Sequence, residues 1–470
     1  MSVRYTANVN YFQLNLFPTF IILLFSLQLC FNEGSFLFAN AAYERADPNE
    51  NGPILNDIAL QIEKVGEDLH NPTSMAFIGH DDILVLEQHE GTVRRITGGE
   101  LMEEPLLEVN VARGVEWGML GIATSAVQTN ENNFQYVYLY YTEPGTNNQY
   151  LNSYGNQIGS ATIDTNAVNS VYRYELVDGE LVNPKLLLQL PAYSPNTLHK
   201  NNHVGGKLLI GPDNNLYISM GDVGGRSGQA QNDKEGLPLD GTSGILRINQ
   251  EGEVLSSGSD FGDGTSGLED IYYAYGIRNS FGFDFDPVTG ELWDTENGAS
   301  ENDELNMVEE GFNSGWGQVQ GFADEDFEVE EDLVQFPNSF YSDPEFVWEQ
   351  TIGVTSLKFL SSSKLGVDYQ NTMFVGDVNT GNLYNFKLNP NRDGLLLQGD
   401  LADRIVDNHN KNVNSPQYGS RYGAISSSYN DDQSSIIAGT GFGVITDIKE
   451  GPDGLLYVLS LSGDIYKIYQ

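Results

Sequence analysis

A histidine and an aspartate flank one predicted β-hairpin and have the side-chain types needed for proton transfer. His203 stands just before a strand that begins near Leu208, and Asp222 stands at the far end of the same hairpin, so the two side chains can come back together. A carboxylate next to a histidine holds one tautomer of the ring and raises its basicity, as a general base requires. The alternative is a structural histidine beside the Gly205-Gly206 pair.

A second polar pair, Arg278 and Asn279, stands at the entrance of another predicted strand, within Tyr275–Gly282. An arginine and an amide at such a place can polarise an oxygen atom of a substrate or a cofactor. The alternative is an arginine that only ties neighbouring elements together.

The loop between Thr295 and Asn306 combines four carboxylates with a glycine. Carboxylates and backbone carbonyls in loops of this kind are the oxygen ligands that Ca²⁺ prefers. The alternative is a solvated run of negative charge, which is common in a chain as acidic as this one.

The elements that must position these residues recur along the chain. Each copy has a short apolar strand, a turn of Gly, Pro, Asp or Asn, and an alternating strand rich in Leu, Tyr or Val. The copies begin at Ser74, Met119, Leu208, Phe281, Ser356 and Asp447. Their turns suit β-hairpins, and no helical periodicity is sustained. Repeated sheets that stack radially protect their edges, so the pattern predicts an all-β fold, a six-bladed β-propeller of four-stranded antiparallel blades.

The repeats are expected to form one domain over residues 58–470. A strand near Ile58–Val65 is expected to pair with the last blade and close the ring. Residues 42–57 then form a linker, and residues 1–41 form a signal peptide. In the leader, Arg4 precedes an apolar stretch that ends at Cys30, and Ala39-Asn40-Ala41 has the form of a signal-peptidase site.

The leader predicts export to the periplasm, the cell surface or the medium. The alternative is an uncleaved membrane anchor, because the apolar run approaches the length that spans a bilayer. Apart from the leader, no membrane association is expected.

The charge of the chain limits its partners. With 66 Asp and Glu against 23 Lys and Arg, the formal net charge is −43, so nucleic acid and anionic membrane surfaces are excluded as partners. The single cysteine excludes a disulfide framework and a cysteine-based zinc site. The acidic run Asp324–Asp332 attracts divalent cations and repels acidic sugars, which favours neutral aldoses as substrates if the protein is an enzyme.

Several separate motifs, taken together, resemble the soluble quinoprotein glucose dehydrogenase and aldose sugar dehydrogenase family, also called the glucose/sorbosone dehydrogenase family. The matching segments are Pro72–Phe77, Glu116–Gly121, His203–Leu208, Gly276–Gly282, Glu296–Asn306 and Gly315–Trp316. The resemblance covers roughly residues 58–469. It implies a six-bladed propeller that uses pyrroloquinoline quinone (PQQ) and Ca²⁺ to oxidise C1 of a sugar and passes electrons to an acceptor.

The resemblance also implies roles for individual residues. His203 would be the base, Asp222 its orienting partner and Arg278 the polariser of the quinone oxygen. The residues matched to cofactor binding are Glu116, Asn279 and Lys207. The residues matched to Ca²⁺ are Gly298 and Ala299 through their carbonyls, with Asp303, Glu304 and Asp324 near a second, structural ion.

The chain departs from the family where the family holds the three carboxylates of PQQ with cations. The turn Val375–Gly381 has Asn379 instead of a cation, and Val444 and Thr446 stand where the family has arginines. Arg226 and Arg421 are candidates to replace the missing charges. Two alternatives to the dehydrogenase therefore remain: a Ca²⁺-stabilised binding module, and a glycan lyase or hydrolase without a redox cofactor.

Overall fold

The computed structural model describes residues 48–49, 52–125, 134–145, 166–194, 202–255, 261, 267–324, 327–406 and 432–470. The predicted leader lies outside the described residues, as does Arg421. Among the described residues, no helix is long and apolar enough to cross a membrane.

The described chain is built almost entirely from strands. They are β1 Ile54–Leu55, β2 Gln61–Gly66, β3 Pro72–Gly79, β4 Asp82–Glu87, β5 Thr92–Thr97, β6 Glu100–Leu101, β7 Leu107–Glu108, β8 Met119–Thr124, β9 Gln135–Glu143, β10 Val168–Val177, β11 Glu180–Pro191, β12 Leu208–Ile210, β13 Leu216–Met220, β14 Gly244–Ile248, β15 Tyr272–Tyr275, β16 Ser280–Phe285, β17 Leu292–Glu296, β18 Asp303–Val308, β19 Phe312–Asn313, β20 Phe340–Tyr341, β21 Phe346–Trp348, β22 Val354–Leu360, β23 Thr372–Asp377, β24 Leu383–Phe386, β25 Ile405–Val406, β26 Ile437–Thr440, β27 Ile445–Glu450, β28 Leu456–Ser460 and β29 Ile465–Tyr469. The helical segments are α1 Val329–Asp332 and the 3₁₀ turns Gln229–Gln231, Leu268–Ile271 and Gly399–Asp403.

These strands form six sheets, numbered here in chain order. Sheet 1 has the order β3-β4-β5-β6, with β7 also paired to β5, and sheet 2 has β11-β10-β9-β8. Sheet 3 has β12-β13-β14-β15-β19-β20, and sheet 4 has β16-β17-β18-β21-β25. Sheet 5 has β1-β26-β24-β23-β22, and sheet 6 has β2-β29-β28-β27.

The sheets are arranged in a ring. Each sheet packs on the next through its own apolar cluster, from sheet 1 on sheet 2 round to sheet 6 on sheet 1. Between sheets 4 and 5, for example, Trp293, Trp348 and Phe359 are buried, and burying such a side chain contributes about 1.5–3 kcal/mol. The prediction of an all-β propeller arrangement is confirmed.

Sheet 6 joins both ends of the described chain, because β2 pairs with β29 in antiparallel register from Gln61 opposite Tyr469. This pairing confirms the prediction that a strand near Ile58–Val65 closes the ring. The predicted linker 42–57 contains β1, which pairs with β26, so the sheet structure begins before residue 58.

The prediction of four strands in every blade is correct for sheets 2 and 6 and wrong for the other four. Long connections return to the outer edges there and add short strands. β25, for instance, pairs in parallel with β21, and β19 pairs in parallel with β15. These additions bond to backbone groups that an edge strand would otherwise leave open for pairing.

Candidate functional site

His203 and Asp222 meet where the connections before β12 and after β13 lie side by side. Nδ1 of His203 and Oδ1 of Asp222 are 2.6 Å apart, and the side chains are 13% and 1% exposed. His203 and Val223 both have positive φ, 55° and 50°, and the Val223 N–H donates to the His203 carbonyl at 3.0 Å. Positive φ is costly for a β-branched residue, and such strain is concentrated at functional sites.

The two glycines after His203 allow the backbones to approach closely. A Cβ on Gly205 would lie 2.6 Å from the Ser219 carbonyl oxygen, and one on Gly206 would lie 2.7 Å from Cβ of Leu120. Both glycines also have positive φ. The Gly-Gly pair therefore brings the connection that carries His203 against sheets 2 and 3, where a side chain at either position would push it away.

Asp222 is held by further donors besides the imidazole. Its Oδ1 also accepts from the Gly225 N–H at 2.9 Å, and its Oδ2 accepts from the indole N–H of Trp316 at 2.8 Å. Burial alone would raise the pKa of Asp222, but its contacts with His203, the charge of Arg278 and the Gly225 N–H lower it below its usual value. The carboxylate is therefore ionised and fixed in orientation.

Arg278 completes the group. Its Nη2 lies 2.9 Å from Nε2 of His203, and its Nη1 donates to the carbonyls of Asn297 and Gly298, each at 2.8 Å. The guanidinium lies over the Trp316 ring, 5.3 Å from its centroid. Arginine has no acceptor atom, so Nε2 of His203 must accept and Nδ1–H must donate to Asp222.

Glu116 and Asn279, both predicted to bind a cofactor, support the backbone next to His203. Oε2 of Glu116 accepts from the Val204 N–H and from Nδ2 of Asn279, both at 3.2 Å. Oδ1 of Asn279 accepts from the Gly205 N–H at 3.1 Å. The structure therefore places these two predicted residues next to His203, where they bind the backbone N–H groups of the two residues that follow it.

Lys207 points to a different partner. Its Nζ lies 2.7 Å from Oδ1 of Asp447, and the two side chains are 6% and 1% exposed. Burial alone would raise the pKa of Asp447, but the charges of Lys207 and Lys449 outweigh burial and lower it. Lys207 therefore serves a buried ion pair between sheets 3 and 6.

The loop between β17 and β18 places the predicted calcium residues in different surroundings. Oδ1 of Asp303 accepts from the Gly298 N–H at 2.9 Å, and its Oδ2 accepts from the N–H groups of Ile352 and Gly353 at 2.8 and 2.6 Å. Burial raises the pKa of Asp303 to about 6 despite these bonds. Asp303 thus ties the loop to the start of sheet 5.

The other members of this predicted calcium set are spread along the loop. Oε1 of Glu304 accepts from the Gly321 N–H at 2.5 Å, and burial raises the pKa of Glu304. The Ala299 N–H donates to Oε1 of Gln320 at 3.2 Å, and Asp324 is exposed. In the part of the chain that the structure describes, no three His, Cys, Asp or Glu side chains are grouped as metal ligands.

The positions matched to the family's cationic clamp carry no charge in this structure. Nδ2 of Asn379 donates to the Thr351 carbonyl at 3.3 Å, Val444 is buried, and Thr446 donates to the Leu459 carbonyl at 3.4 Å. Arg226, one candidate replacement, is paired with Asp240 at 2.6 Å.

Sequence reasoning missed two residues that act on this group. Trp316 binds both Asp222 and Arg278, although its Gly-Trp motif was given no role. Glu296 accepts from the Arg278 backbone N–H at 2.8 Å and from Oγ of Ser314 at 2.6 Å. The Gly-Trp motif is the signal that points to Trp316, and the motif Glu296–Asn306 is the signal that points to Glu296, although neither residue received a role of its own.

Comparison with known proteins shows which family this chain belongs to. The family model of the glucose/sorbosone dehydrogenases matches residues 69–467. The chain belongs to this family. Its relatives include the aldose sugar dehydrogenase YliI of Escherichia coli, 23% identical over 419 residues, which cover 87% of this chain and 92% of the relative.

Solved structures share the fold of this glucose/sorbosone dehydrogenase family member. A putative oxidoreductase (glucose dehydrogenase) from Thermus thermophilus matches with a TM-score of 0.61 at 24% identity, covering 87% of this chain and 99% of that one. The PQQ-bound aldose sugar dehydrogenase of Streptomyces coelicolor matches with a TM-score of 0.56 at 18% identity, covering 89% and 99%. These two likenesses show the fold of this chain.

Proposed function

We propose that this chain is an exported aldose dehydrogenase that oxidises C1 of a neutral sugar, with PQQ as hydride acceptor and Ca²⁺ as a bound ion. In this proposal each of the six sheets is one blade of a six-bladed propeller. The observation that carries it is the group formed by His203, Asp222 and Arg278, in which the histidine has a fixed tautomer with Nε2 as acceptor.

In this proposal His203 and Asp222 carry out a proton-transfer step, and their geometry supports it. Nε2 of His203 takes the proton from the C1 hydroxyl of the sugar, and the negative charge of Asp222 stabilises the imidazolium that forms. A substrate hydroxyl must first take the place of Nη2 of Arg278 at Nε2. PQQ, when bound, supplies a quinone that accepts a hydride.

The charge of the chain supports the choice of a neutral sugar. The formal net charge is −43, and an acidic run that begins at Asp324 follows Glu304 by 20 positions in the sequence. Like charges raise the free energy of an acidic sugar near this surface and lower its rate of encounter. Glucose and other uncharged aldoses meet no such penalty.

The residues present fit one end of PQQ and not the other. Nε of Arg278 is buried and has no hydrogen-bond partner among the described residues, so it is a donor suited to a quinone oxygen. The three carboxylates of PQQ need cations when they are buried, because an unpaired buried charge is strongly unfavourable. Asn379, Val444 and Thr446 provide none.

This poor fit at the carboxylate end favours a second candidate. A propeller that keeps the fold and binds Ca²⁺, but acts as a binding module or as a glycan lyase or hydrolase with His203 as base, needs no cationic clamp. Both candidates keep the same base and differ in whether a redox cofactor binds.

The deciding experiment is thermal unfolding of the purified protein with Ca²⁺ alone, PQQ alone and both, together with glucose-dependent dye reduction. A ligand at about 100 times its Kd stabilises the folded protein by about 2.7 kcal/mol, so binding raises Tm measurably. We expect a higher Tm with both ligands and dye reduction that needs both. An unchanged Tm at saturating PQQ would overturn the dehydrogenase in favour of the second candidate.

A matched variant separates the ion from the cofactor. Glu304→Gln is expected to remove the Tm increase caused by Ca²⁺, whereas Asp324→Asn tests whether the exposed carboxylate takes part. Export is tested separately, by determining the N-terminus of the protein recovered outside the cytoplasm; cleavage after Ala41 is expected.

A further inference from the structure

A group of charged side chains lies at the centre of the ring and takes no part in the proposed reaction. We call it the axial cluster; its members are Lys207, Asp284, Lys358, Asp447 and Lys449. Lys207 directly precedes β12 of sheet 3, and Asp447 lies on β27 of sheet 6; the two sheets lie on opposite sides of the ring. A 2.7 Å contact between opposite sheets has to cross the centre.

Asp447 is the hub of this cluster. Its Oδ2 accepts from Oγ of Ser74 at 2.8 Å and lies 3.3 Å from Nζ of Lys449. Its Oδ1 accepts from Nζ of Lys207 and from Oγ of Ser356 at 3.0 Å. Donors from sheets 1, 3, 5 and 6 therefore converge on one carboxylate, and its lone pairs are fully used.

Lys358 and Lys449 lie on the inner strands of neighbouring sheets, close enough for the charge of Lys358 to act on Lys449. Each follows its strand's contact residue by two positions, Ser356 on β22 and Asp447 on β27, and side chains two apart share one face of a strand. The bond from Ser356 to Asp447, and the 3.0 Å bond from the Ile448 N–H to Oγ of Ser356, fix this register.

When all three lysines are protonated, the cluster carries one positive charge more than it can pair. Asp284 accepts from Nζ of Lys358 at 2.7 Å and from the Phe359 N–H, and Asp447 serves both Lys207 and Lys449. Three ammonium groups thus share two carboxylates. Glu450, the next residue on β27, points elsewhere and accepts from the Ser361 and Ser362 N–H groups at 2.8 and 3.1 Å.

The remaining inner strands supply no compensating charge. β3, β8 and β12 contain no Asp, Glu, Lys or Arg, and Asp284 is the one charged residue of β16. Burial and the nearby charges of Lys207 and Lys358 lower the pKa of Lys449 to about 7, although Asp447 opposes this. Lys358 and Lys449 are 22% and 17% exposed, so solvent ions reach them.

We propose that the axial cluster is an anion site, in which the ammonium groups of Lys358 and Lys449 bind a small monovalent anion, a halide or a carboxylate. The anion accepts hydrogen bonds from Lys358 and Lys449, because Asp447 has no lone pair left for a further donor. It neutralises the excess charge and removes the repulsion between the two lysines, so it stabilises the closed ring.

Two measurements test this site. Crystals soaked in sodium bromide are expected to show an anomalous-scattering peak within contact distance of both Nζ atoms. In solution Tm is measured at about pH 6, below the pKa of Lys449, so that both lysines are charged. Chloride, and in a second series formate, replaces methanesulfonate at constant ionic strength and constant sodium. We expect Tm to rise by about 2 °C for each tenfold increase above Kd. The formate series tells a carboxylate site from a halide site.

Variants separate this site from general screening of an acidic chain. Lys449→Met is expected to lose the bromide peak and the chloride dependence of Tm. Lys467→Met removes a lysine from β29 of the same sheet, two strands outward from β27, where Lys467 pairs with Glu63. This variant is expected to keep the bromide peak and the chloride dependence of Tm. The absence of a bromide peak in the unaltered protein, or an equal chloride effect in the two variants, would overturn the proposal.

Discussion

Nη2 of Arg278 donates a hydrogen bond to Nε2 of His203 at 2.9 Å, while Nδ1–H of the same ring donates to Asp222 at 2.6 Å. The ring is thus held from both sides, in the one neutral tautomer that leaves a lone pair at Nε2. In the proposed reaction the base is therefore oriented before any substrate arrives, and Arg278 covers the lone pair until a hydroxyl replaces it. Orientation of this kind lowers the reorganisation that the reaction requires.

Replacing His203 by asparagine tests its role as base. Asparagine tolerates positive φ, so the backbone at φ 55° is kept. Loss of the base is expected to lower kcat about 10²- to 10⁴-fold in the dye-reduction assay with PQQ and Ca²⁺ present. His80→Asn, at an exposed histidine paired with Asp81, is the matched control. A His203→Asn protein with the kcat of this control would rule out His203 as the base.

Asp222→Asn is expected to disturb the tautomer without removing the base. Asp222 accepts hydrogen bonds from His203, from the Gly225 N–H and from the Trp316 indole N–H. The amide of asparagine has one N–H₂ group, which would face at least one of these donors. We expect kcat to fall about 10³-fold or more. ¹⁵N NMR of the ring is expected to show Nδ1–H in the unaltered protein and a mixture or Nε2–H in the variant. Identical ring spectra in the two proteins would contradict the assignment.

The acid stability of the protein also depends on Asp222. The folded-state pKa of Asp222 is lowered, so the unfolded state binds more protons in the acid range and the contribution of the carboxylate is lost as pH falls through its folded pKa. The unaltered protein and Asp222→Asn are therefore expected to differ in their free energy of unfolding by a constant amount near neutral pH. This difference is expected to become smaller below about pH 4. A difference that does not change with pH would count against this contribution.

Trp316→Phe tests a positioning role for the indole N–H. The phenyl ring still lies under the Arg278 guanidinium, but the 2.8 Å bond to Asp222 is lost. A hydrogen bond to a charged group contributes about 1.5–3 kcal/mol, which corresponds to about a 10- to 100-fold decrease in kcat with little change in KM. Trp117→Phe removes a buried N–H that bonds only to the Ala192 carbonyl, and it is expected to lower stability without this loss of kcat.

Returning cations to the clamp positions is expected to strengthen PQQ binding. Asn379→Lys and Thr446→Arg each place a charge where the family has one, and each is expected to lower the Kd for PQQ about tenfold or more. Asn391→Lys adds the same charge at an exposed turn and controls for the lower net charge of the chain. Equal gains in all three variants would show that PQQ responds to overall charge and not to these turns.

Lys449 gives the folded protein a dependence on alkaline pH. Its folded-state pKa is about 7, far below that of an unfolded lysine, so the unfolded state binds more protons between these values and stability rises with pH. In halide-free buffer, the free energy of unfolding is expected to increase from about pH 7 to pH 9.5. This slope is expected to flatten in Lys449→Met and to persist in Lys467→Met. Equal slopes in the two variants would contradict the lowered pKa of Lys449 in the folded protein.

The repeats of the fold could be predicted from the sequence, but the short strands at the outer edges of the sheets could not. Strand periodicity and turn residues are local, so the copies beginning at Ser74 or Asp447 were recognisable, and so was closure by the strand near Ile58–Val65. The additional short strands β19, β20 and β25 depend on where long connections return. Nothing in two-residue segments such as Ile405–Val406 indicates that partner.

The site could be predicted where its residues lie at the ends of one hairpin. His203 and Asp222 are 19 positions apart and meet because β12 and β13 pair. Lys207 was assigned to the cofactor because it lies in the same motif as His203, yet it extends in the opposite direction to Asp447, 240 positions away. No local pattern reports a contact of that sequence separation, and the same is true of Trp316.

The ion pair between Lys207 and Asp447 makes the active site depend on the order of synthesis. Lys207 is four residues from His203, and its partner stands 240 residues further along the chain. While the chain is being made or exported, the lysine has no carboxylate to meet, and sheet 6 also lacks its final strands. An emerging chain therefore holds His203 through Glu116, Asn279 and Asp222, and the connection gains its last tie only when sheet 6 has folded. Loss of β27 would leave His203, Asp222 and Arg278 in place in the sequence but would remove this tie.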